Sequence, residues 1–251
     1  GGMPESVRAW AEERDVARVQ KVLRNILDAY ELDFSKHAQI KDIAKLGLIW
    51  SSIPSQLSRE NKKFMYRAVK VGVRAREYED ALTWLCNAGL GYKIHRNTKP
   101  SLPVSAYDDP CAFKLYAVDV GLLRRLAFLD PVSFGEGNRL FSEFKGALSE
   151  NYILQSLVTQ YEGLPRYWSS GATAEVDFTI QRGNDILPIE VKSDENVRGK
   201  SFTLYNQKYA PLIRVRFSLK NLKKDNNLIN IPMFLADHLD KFIDLAVNEK
   251  K

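Results

Sequence analysis

Asp177, Glu190 and Lys192 are the residues of this chain whose types and spacing best suit chemistry. They lie in two apolar stretches, Glu175-Val176-Asp177-Phe178-Thr179-Ile180 and Pro188-Ile189-Glu190-Val191-Lys192. The turn sequence Arg182-Gly183-Asn184-Asp185 separates them. Side chains alternate across a strand. Val176, Phe178 and Ile180 therefore share one face, and Glu175, Asp177 and Thr179 the other. Glu190 and Lys192 share the polar face of the second strand. A hairpin turn aligns the two strands, which lets Asp177 face Glu190. Carboxylate oxygens are the ligands that Mg²⁺ and Mn²⁺ prefer, with water and a substrate phosphate completing the octahedron. Such a cation activates water and stabilises charge on a scissile phosphate, while Lys192 holds the nucleophile or neutralises the phosphate. The competing reading is an ordinary cross-strand ion pair on a half-exposed sheet.

A third carboxylate, Glu150, lies on an expected helix, Leu140–Tyr161, on one stripe with Leu154, Leu157 and Tyr161. A glutamate on an apolar stripe is costly unless it meets a cation or hydrogen-bond donors. It is a candidate to reach over a sheet edge toward Asp177 and Glu190.

The elements that must position these residues are legible by period. Strands are expected at Arg166–Ser169, Ala174–Gln181, Ile186–Lys192 and Leu212–Phe217, with a helix at Lys200–Tyr209. The order helix, three strands, helix, strand requires at least one parallel pair, because a strand–helix–strand crossover returns parallel. Upstream, helices are expected over Asp15–Tyr30, Ala38–Trp50, Lys62–Val71 and Glu77–Ala88, with Gly89 ending the last. Ile53-Pro54-Ser55 reads as a break and Tyr92–His95 as a short strand. Short helices followed by a strand predict a winged-helix-like unit. Residues 96–112, with Pro100, Pro103 and Pro110, read as a linker. A short helix is expected over Val118–Phe128 and a break at Gly135-Glu136-Gly137. The fold class is thus mixed α/β in three segments: a helical tail at 1–34, a winged-helix-like domain with its linker at 35–112, and a site-bearing domain at 113–251.

The chain of 251 residues carries a formal net charge of +6, which favours an acidic partner such as DNA. Lys62, Lys63, Arg67 and Lys70 fall in a basic run from Arg59 to Arg76 that holds a single acid, Glu60. That run is either a phosphate-contacting face or a solvated helical face. Arg214 and Arg216 share a strand face and form a second candidate contact with a DNA backbone. Cys86 and Cys111 are too few and too far apart for a disulfide framework, which fits a cytoplasmic setting. No apolar run approaches membrane-spanning length.

Glu150, Asp177 and Glu190-Val191-Lys192 on this element order resemble the PD-(D/E)XK superfamily, the restriction-endonuclease-like fold. The wider chain is similar to the uncharacterised C-terminal region of bacterial and archaeal AAA-type ATPases. Phrases carrying that resemblance include Gly1-Gly2-Met3-Pro4-Glu5, Ile53-Pro54-Ser55-Gln56-Leu57, Phe113-Lys114-Leu115-Tyr116, Asp119-Val120-Gly121-Leu122-Leu123 and Gly146-Ala147-Leu148. The resemblance implies Glu150, Asp177 and Glu190 as metal ligands, Lys192 as the catalytic lysine, and Mg²⁺ or Mn²⁺ as the cofactor. It also implies an ATPase domain upstream in the same polypeptide, with ATP bound there alone, and Gly1-Gly2 as native residues. Val176 stands where the superfamily often has proline before the first aspartate. Members with that departure include inactive ones. The chain is therefore expected either to cleave DNA phosphodiesters or to serve as a catalytically silent module that binds DNA or a protein and regulates the ATPase.

Gly199-Lys200-Ser201 opens a helix as a phosphate-binding loop does, but Asp194 stands where that loop needs its first glycine. His37, His95 and His238 are isolated and have no metal-ligand spacing.

Overall fold

The computed structural model describes residues 1–131, 142–171, 174–193 and 199–248. The expected break at Gly135–Gly137 and Asp194 lie outside the described residues. The chain forms two compact units, one of residues 1–93 and 114–151, the other of residues 94–113 and 152–251. The first unit takes residues from all three segments expected from sequence.

In the first unit, α1 (Pro4–Glu13) starts on a proline and α2 (Val16–His37) on Asp15, whose Oδ1 accepts from the Ala17 N–H. Leu23, Leu27 and Phe34 of α2 bury with Leu46, Ile49, Trp50 and Ile53 of α3 (Ile40–Leu57). Phe34 meets Trp50 and Trp84 edge-on, with ring centroids 6.5 and 5.8 Å apart. The expected break at Pro54 does not occur, because Pro54 lies inside α3. An interior proline costs a helix about 3 kcal/mol. Ile53, Gln56 and Leu57 around it are fully buried, and that burial offsets the cost.

The expected helix Lys62–Val71 shrinks to one turn, α4 (Tyr66–Val69). Lys62 has φ 47°, which no helix accepts, and Asn61 Oδ1 closes a local turn by accepting from the Lys63 N–H. α5 (Ala75–Asn87) forms as expected and ends at Gly89, whose φ of +73° suits a residue without a Cβ. α6 (Val120–Leu126) is capped by Asp119.

The second unit is built on a sheet. Its strands are β1 (Gly91–Asn97), β2 (Asp108–Ala117), β3 (Arg166–Ser169), β4 (Glu175–Arg182), β5 (Asp185–Val191), β6 (Arg214–Ser218), β7 (Lys223–Asp225) and β8 (Leu228–Pro232), in the order β2-β1-β3-β4-β5-β6-β8-β7. Residues 91–93 and 114–117 of the first two strands belong to the first unit. α7 (Ser142–Gln160) is divided likewise at residue 151. β3, β4 and β5 form an antiparallel meander, and α8 (Lys200–Tyr209) carries the crossover to β6, which is parallel to β5. The fold is thus mixed α/β, as its periodicity predicts.

Both ends of the expected linker are strand, held by ion pairs. β1 runs to Asn97 and β2 begins at Asp108, while Arg96 pairs with Asp109 at 2.6 Å and Arg166 with Asp108 at 2.9 Å. Pro110 lies in β2, an edge strand, where a missing N–H breaks no ladder. β7, β8 and α9 (Leu239–Asn248) complete the unit beyond the last element read from sequence. Arg182 at the end of the β4–β5 hairpin holds Asp240 and Asp244 of α9 at 2.7 and 2.6 Å. No described helix is long and apolar enough to cross a membrane.

Candidate functional site

The β4–β5 hairpin closes through Gly183-Asn184, with Arg182 opposite Asp185 and Gly183 at φ +59°. Its register pairs Thr179 with Pro188 and Phe178 with Ile189, and Asp177 and Glu190 are the next residue of each strand beyond that pairing. Directly opposed residues project to the same face. Val176, Phe178, Ile180 and Ile189 are buried on the apolar side, as alternation requires. Asp177 Oδ2 accepts a hydrogen bond from the Val191 N–H at 2.8 Å, which ties it to the end of β5 beside Glu190.

Glu190 is 4% exposed and both of its oxygens face cations. Oε1 lies 3.3 Å from Lys192 Nζ and Oε2 accepts from Arg216 Nε at 3.1 Å. Arg216 comes from β6, whose parallel register places it directly beside Glu190. Arg214 shares its strand face and bonds Asn227 Oδ1 at 3.1 and 2.9 Å through Nε and Nη2. Both guanidiniums stand over the Phe202 ring of α8, at 5.5 Å for Arg214 and 6.0 Å for Arg216. Asp177, Glu190, Lys192 and Arg216 therefore form a balanced set of two acids and two bases.

Gly199, whose resemblance to a phosphate loop fails at Asp194, packs instead against this set. It is the N-cap of α8, and a Cβ there would collide with Glu190 Oε1. The glycine leaves room for a carboxylate of its own chain.

Glu150 lies in the first unit, near the end of the α7 residues that belong there. It is buried, bonds Lys62 Nζ through Oε1, and accepts from the Tyr116 hydroxyl through Oε2 at 2.8 Å. Burial opposes its ionisation. The charges of Lys62 and fully buried Lys114, with the two hydrogen bonds, outweigh burial and hold its pKa below the usual carboxylate value. The apolar-stripe glutamate thus finds the cation and donors that its position demands. Asn151, next to it, donates to and accepts from the Ala117 backbone at 3.0 Å each way.

Of the expected nucleic-acid contacts, Lys63, Arg67 and Lys70 are exposed. Lys62 is half-buried on Glu150, and Arg216 is held by Glu190. Sequence reading missed Arg216 as the partner of Glu190, since the register of a parallel crossover leaves no local signal. It also missed Tyr116 and Lys114, whose alternation in an apolar strand was visible.

Asp177 and Glu190 fit a divalent cation in donor type, being hard oxygen ligands on neighbouring strands with a lysine two residues from one of them. Among the described residues no group of three or more histidine, cysteine, aspartate or glutamate side chains is gathered to hold a metal ion. A cation at the pair must share Glu190 with Lys192 and Arg216.

The sheet and this charged set define a mixed α/β protein with a two-carboxylate site. The chain belongs to the family of the domain of unknown function DUF8612, whose model matches residues 1–133. A second domain of unknown function, DUF4143, matches residues 145–234, the stretch from α7 through β8. No curated protein and no solved structure matches the chain.

Proposed function

We propose that this chain is the nuclease-fold region of an AAA-type ATPase and cleaves DNA phosphodiesters with a divalent cation held by Asp177 and Glu190. The observation that carries the reading is the β4–β5 hairpin, whose pairing ends at Phe178 and Ile189 with Asp177 and Glu190 the next residue of each strand and Lys192 beside Glu190. Supporting it is the order α7-β3-β4-β5-α8-β6, an antiparallel meander joined to a parallel crossover, which is the order of the restriction-endonuclease-like core. Along the chain α3, the single turn α4, α5 and β1 succeed one another as a winged-helix-like segment would.

Lys192 and Arg216 neutralise Glu190 until an anion arrives. A phosphate group bound by Lys192 and Arg216 would compete with Glu190 for them, and Asp177 and Glu190 would be the residues to hold a cation. The cation supplies Lewis-acid stabilisation of the charge on the phosphate. Asp177 stays oriented by the Val191 N–H, and Lys192 holds the phosphate or the attacking water. Metal affinity and phosphate binding are therefore coupled.

The test is calorimetric titration of Mn²⁺ into wild type and Asp177→Ala, each with and without duplex DNA, beside a plasmid-nicking assay. The reading expects Mn²⁺ uptake that strengthens with DNA, disappears in Asp177→Ala, and accompanies nicking. Absence of both uptake and nicking sinks it.

One observation favours a second reading. Both Glu190 oxygens are already satisfied by cations, which suits a catalytically silent module that binds DNA or a protein and regulates the ATPase. DNA binding without Mn²⁺ uptake would support that reading.

A further inference from the structure

Most basic side chains that show contacts in the second unit are committed to acids of the fold. Arg96, Arg166, Arg182 and Arg216 hold Asp109, Asp108, the Asp240–Asp244 pair and Glu190. The first unit differs between residues 59 and 76. Arg59, Lys63, Arg67, Lys70, Arg74 and Arg76 are all exposed. Among the described residues none of these six makes an ion pair. Glu60 is the single acid among them. Mutual repulsion of that many unpaired cations disfavours the compact state, so the arrangement answers to a partner of opposite charge.

The surface is also fastened from beneath. Gln56, fully buried on α3, accepts from the Met65 N–H at 3.1 Å and donates to the Met65 carbonyl at 3.0 Å. Lys62 turns away from its basic neighbours, at a positive φ, to pair with buried Glu150. Phe64 is buried between these two anchors in sequence. The Arg59–Tyr66 loop is thus pinned at both Lys62 and Met65, while Lys63 and Arg67 are exposed and Arg59, also exposed, donates to Met65 Sδ at 3.0 Å.

We infer that residues 59–76 of the first unit form a preorganised surface that grips the sugar–phosphate backbone of duplex DNA, with Gln56 and Glu150 as its positioning residues. The inference rests on the proposed function only for its choice of DNA as the polyanion. It assigns Glu150 a task inside the first unit and removes Lys62 from the contacts. An anionic membrane is the less suitable partner, because Val71 is the one large apolar side chain of the segment that is exposed. Surface-binding segments need a broad apolar face. The contacts are to phosphates, so binding is insensitive to base sequence and steeply salt-dependent.

The experiment is fluorescence anisotropy of a labelled duplex with the full chain in EDTA, across a salt series. If all six cations engage, log Kd against log salt has a slope of magnitude about 5. Replacing Lys63, Arg67 and Lys70 together by alanine is expected to lower that magnitude by about 3, with circular dichroism unchanged. An unchanged slope in the triple variant overturns the inference. So does binding to phosphatidylserine vesicles without binding to the duplex. EDTA separates this result from cleavage, since loss of nicking leaves metal-free binding untouched.

Discussion

Arg216 on β6 donates to Glu190 on β5 across a parallel strand pair in which the two residues are direct partners. Their side chains are 14% and 5% exposed, so each neutralises the other largely out of water. A buried pair of this kind is weak evidence for net stability, because desolvation offsets the attraction. Breaking one side of it is a different matter.

Glu190→Ala leaves Arg216, and in part Lys192, without a counter-charge. The expected loss is about 3–5 kcal/mol, read as a lower urea midpoint. Glu190→Ala/Arg216→Ala should be less destabilised than the sum of the two single variants, since the orphaned charge is gone. Strict additivity would show that the pair is not coupled. Under the proposed function Glu190→Ala also abolishes nicking while duplex affinity is largely retained. That comparison is made at a temperature where the variant remains folded.

Glu150 makes the acid limb of the first unit's stability predictable. Its pKa is depressed by Lys62, Lys114 and the Tyr116 hydroxyl against the opposing effect of burial. A carboxylate with a depressed folded pKa binds fewer protons when native than when unfolded. Its contribution is therefore complete above its ordinary value of 4.5 and disappears as pH falls through the lower folded value. Thermal melts below pH 4.5 should show wild type losing stability more steeply than Glu150→Gln, whose amide does not titrate. Parallel acid curves for the two would remove Glu150 from the account.

How far the sequence reaches is clear from these two glutamates. Period-2 alternation puts Asp177 and Glu190 on the polar faces of their strands, and the two-residue turn at Gly183-Asn184 sets a register that pairs Phe178 with Ile189, the residues adjacent to them. Those are local signals, and so are β3 and α8, which fall at the expected bounds. Glu150 was recognisable as a glutamate in need of a cation, but Lys62 lies 88 residues away on a loop that reads as helix. Pro54 and Pro110 misled for a shared reason. Their local cost is real, yet burial around one and an edge position for the other outweigh it. β7 and β8 were missed because β7 is three charged residues long and β8 only five.

The two cysteines should differ in reactivity. Burial pushes the Cys86 thiol up to about 11, against a smaller opposing effect of Lys93, whereas Cys111 is exposed. Near pH 8 about one part in a thousand of Cys86 is then thiolate, the nucleophilic form. Iodoacetamide labelling followed by peptide mass spectrometry is expected to modify Cys111 first and half-buried Cys86 more slowly. Equal rates in the native protein would contradict a raised Cys86 thiol.

Gly199 supplies the most selective probe of the charged set. Its φ of −126° is open to any residue, so backbone strain does not demand glycine. Space does, because a Cβ there would meet the Glu190 carboxylate. A flexible side chain would ordinarily swing aside, but this carboxylate is 4% exposed and engaged by Lys192 and Arg216. Gly199→Ala must therefore displace Glu190 from at least one partner, at about 1–3 kcal/mol. Gly183→Ala is the matched control: its methyl group meets nothing, and its cost comes from a positive φ alone. Both variants should melt earlier than wild type, but only Gly199→Ala should alter Mn²⁺ uptake or nicking, because only its methyl group pushes on Glu190. Unaltered metal and nicking behaviour in Gly199→Ala would mean that Glu190 has freedom its two ion pairs do not suggest.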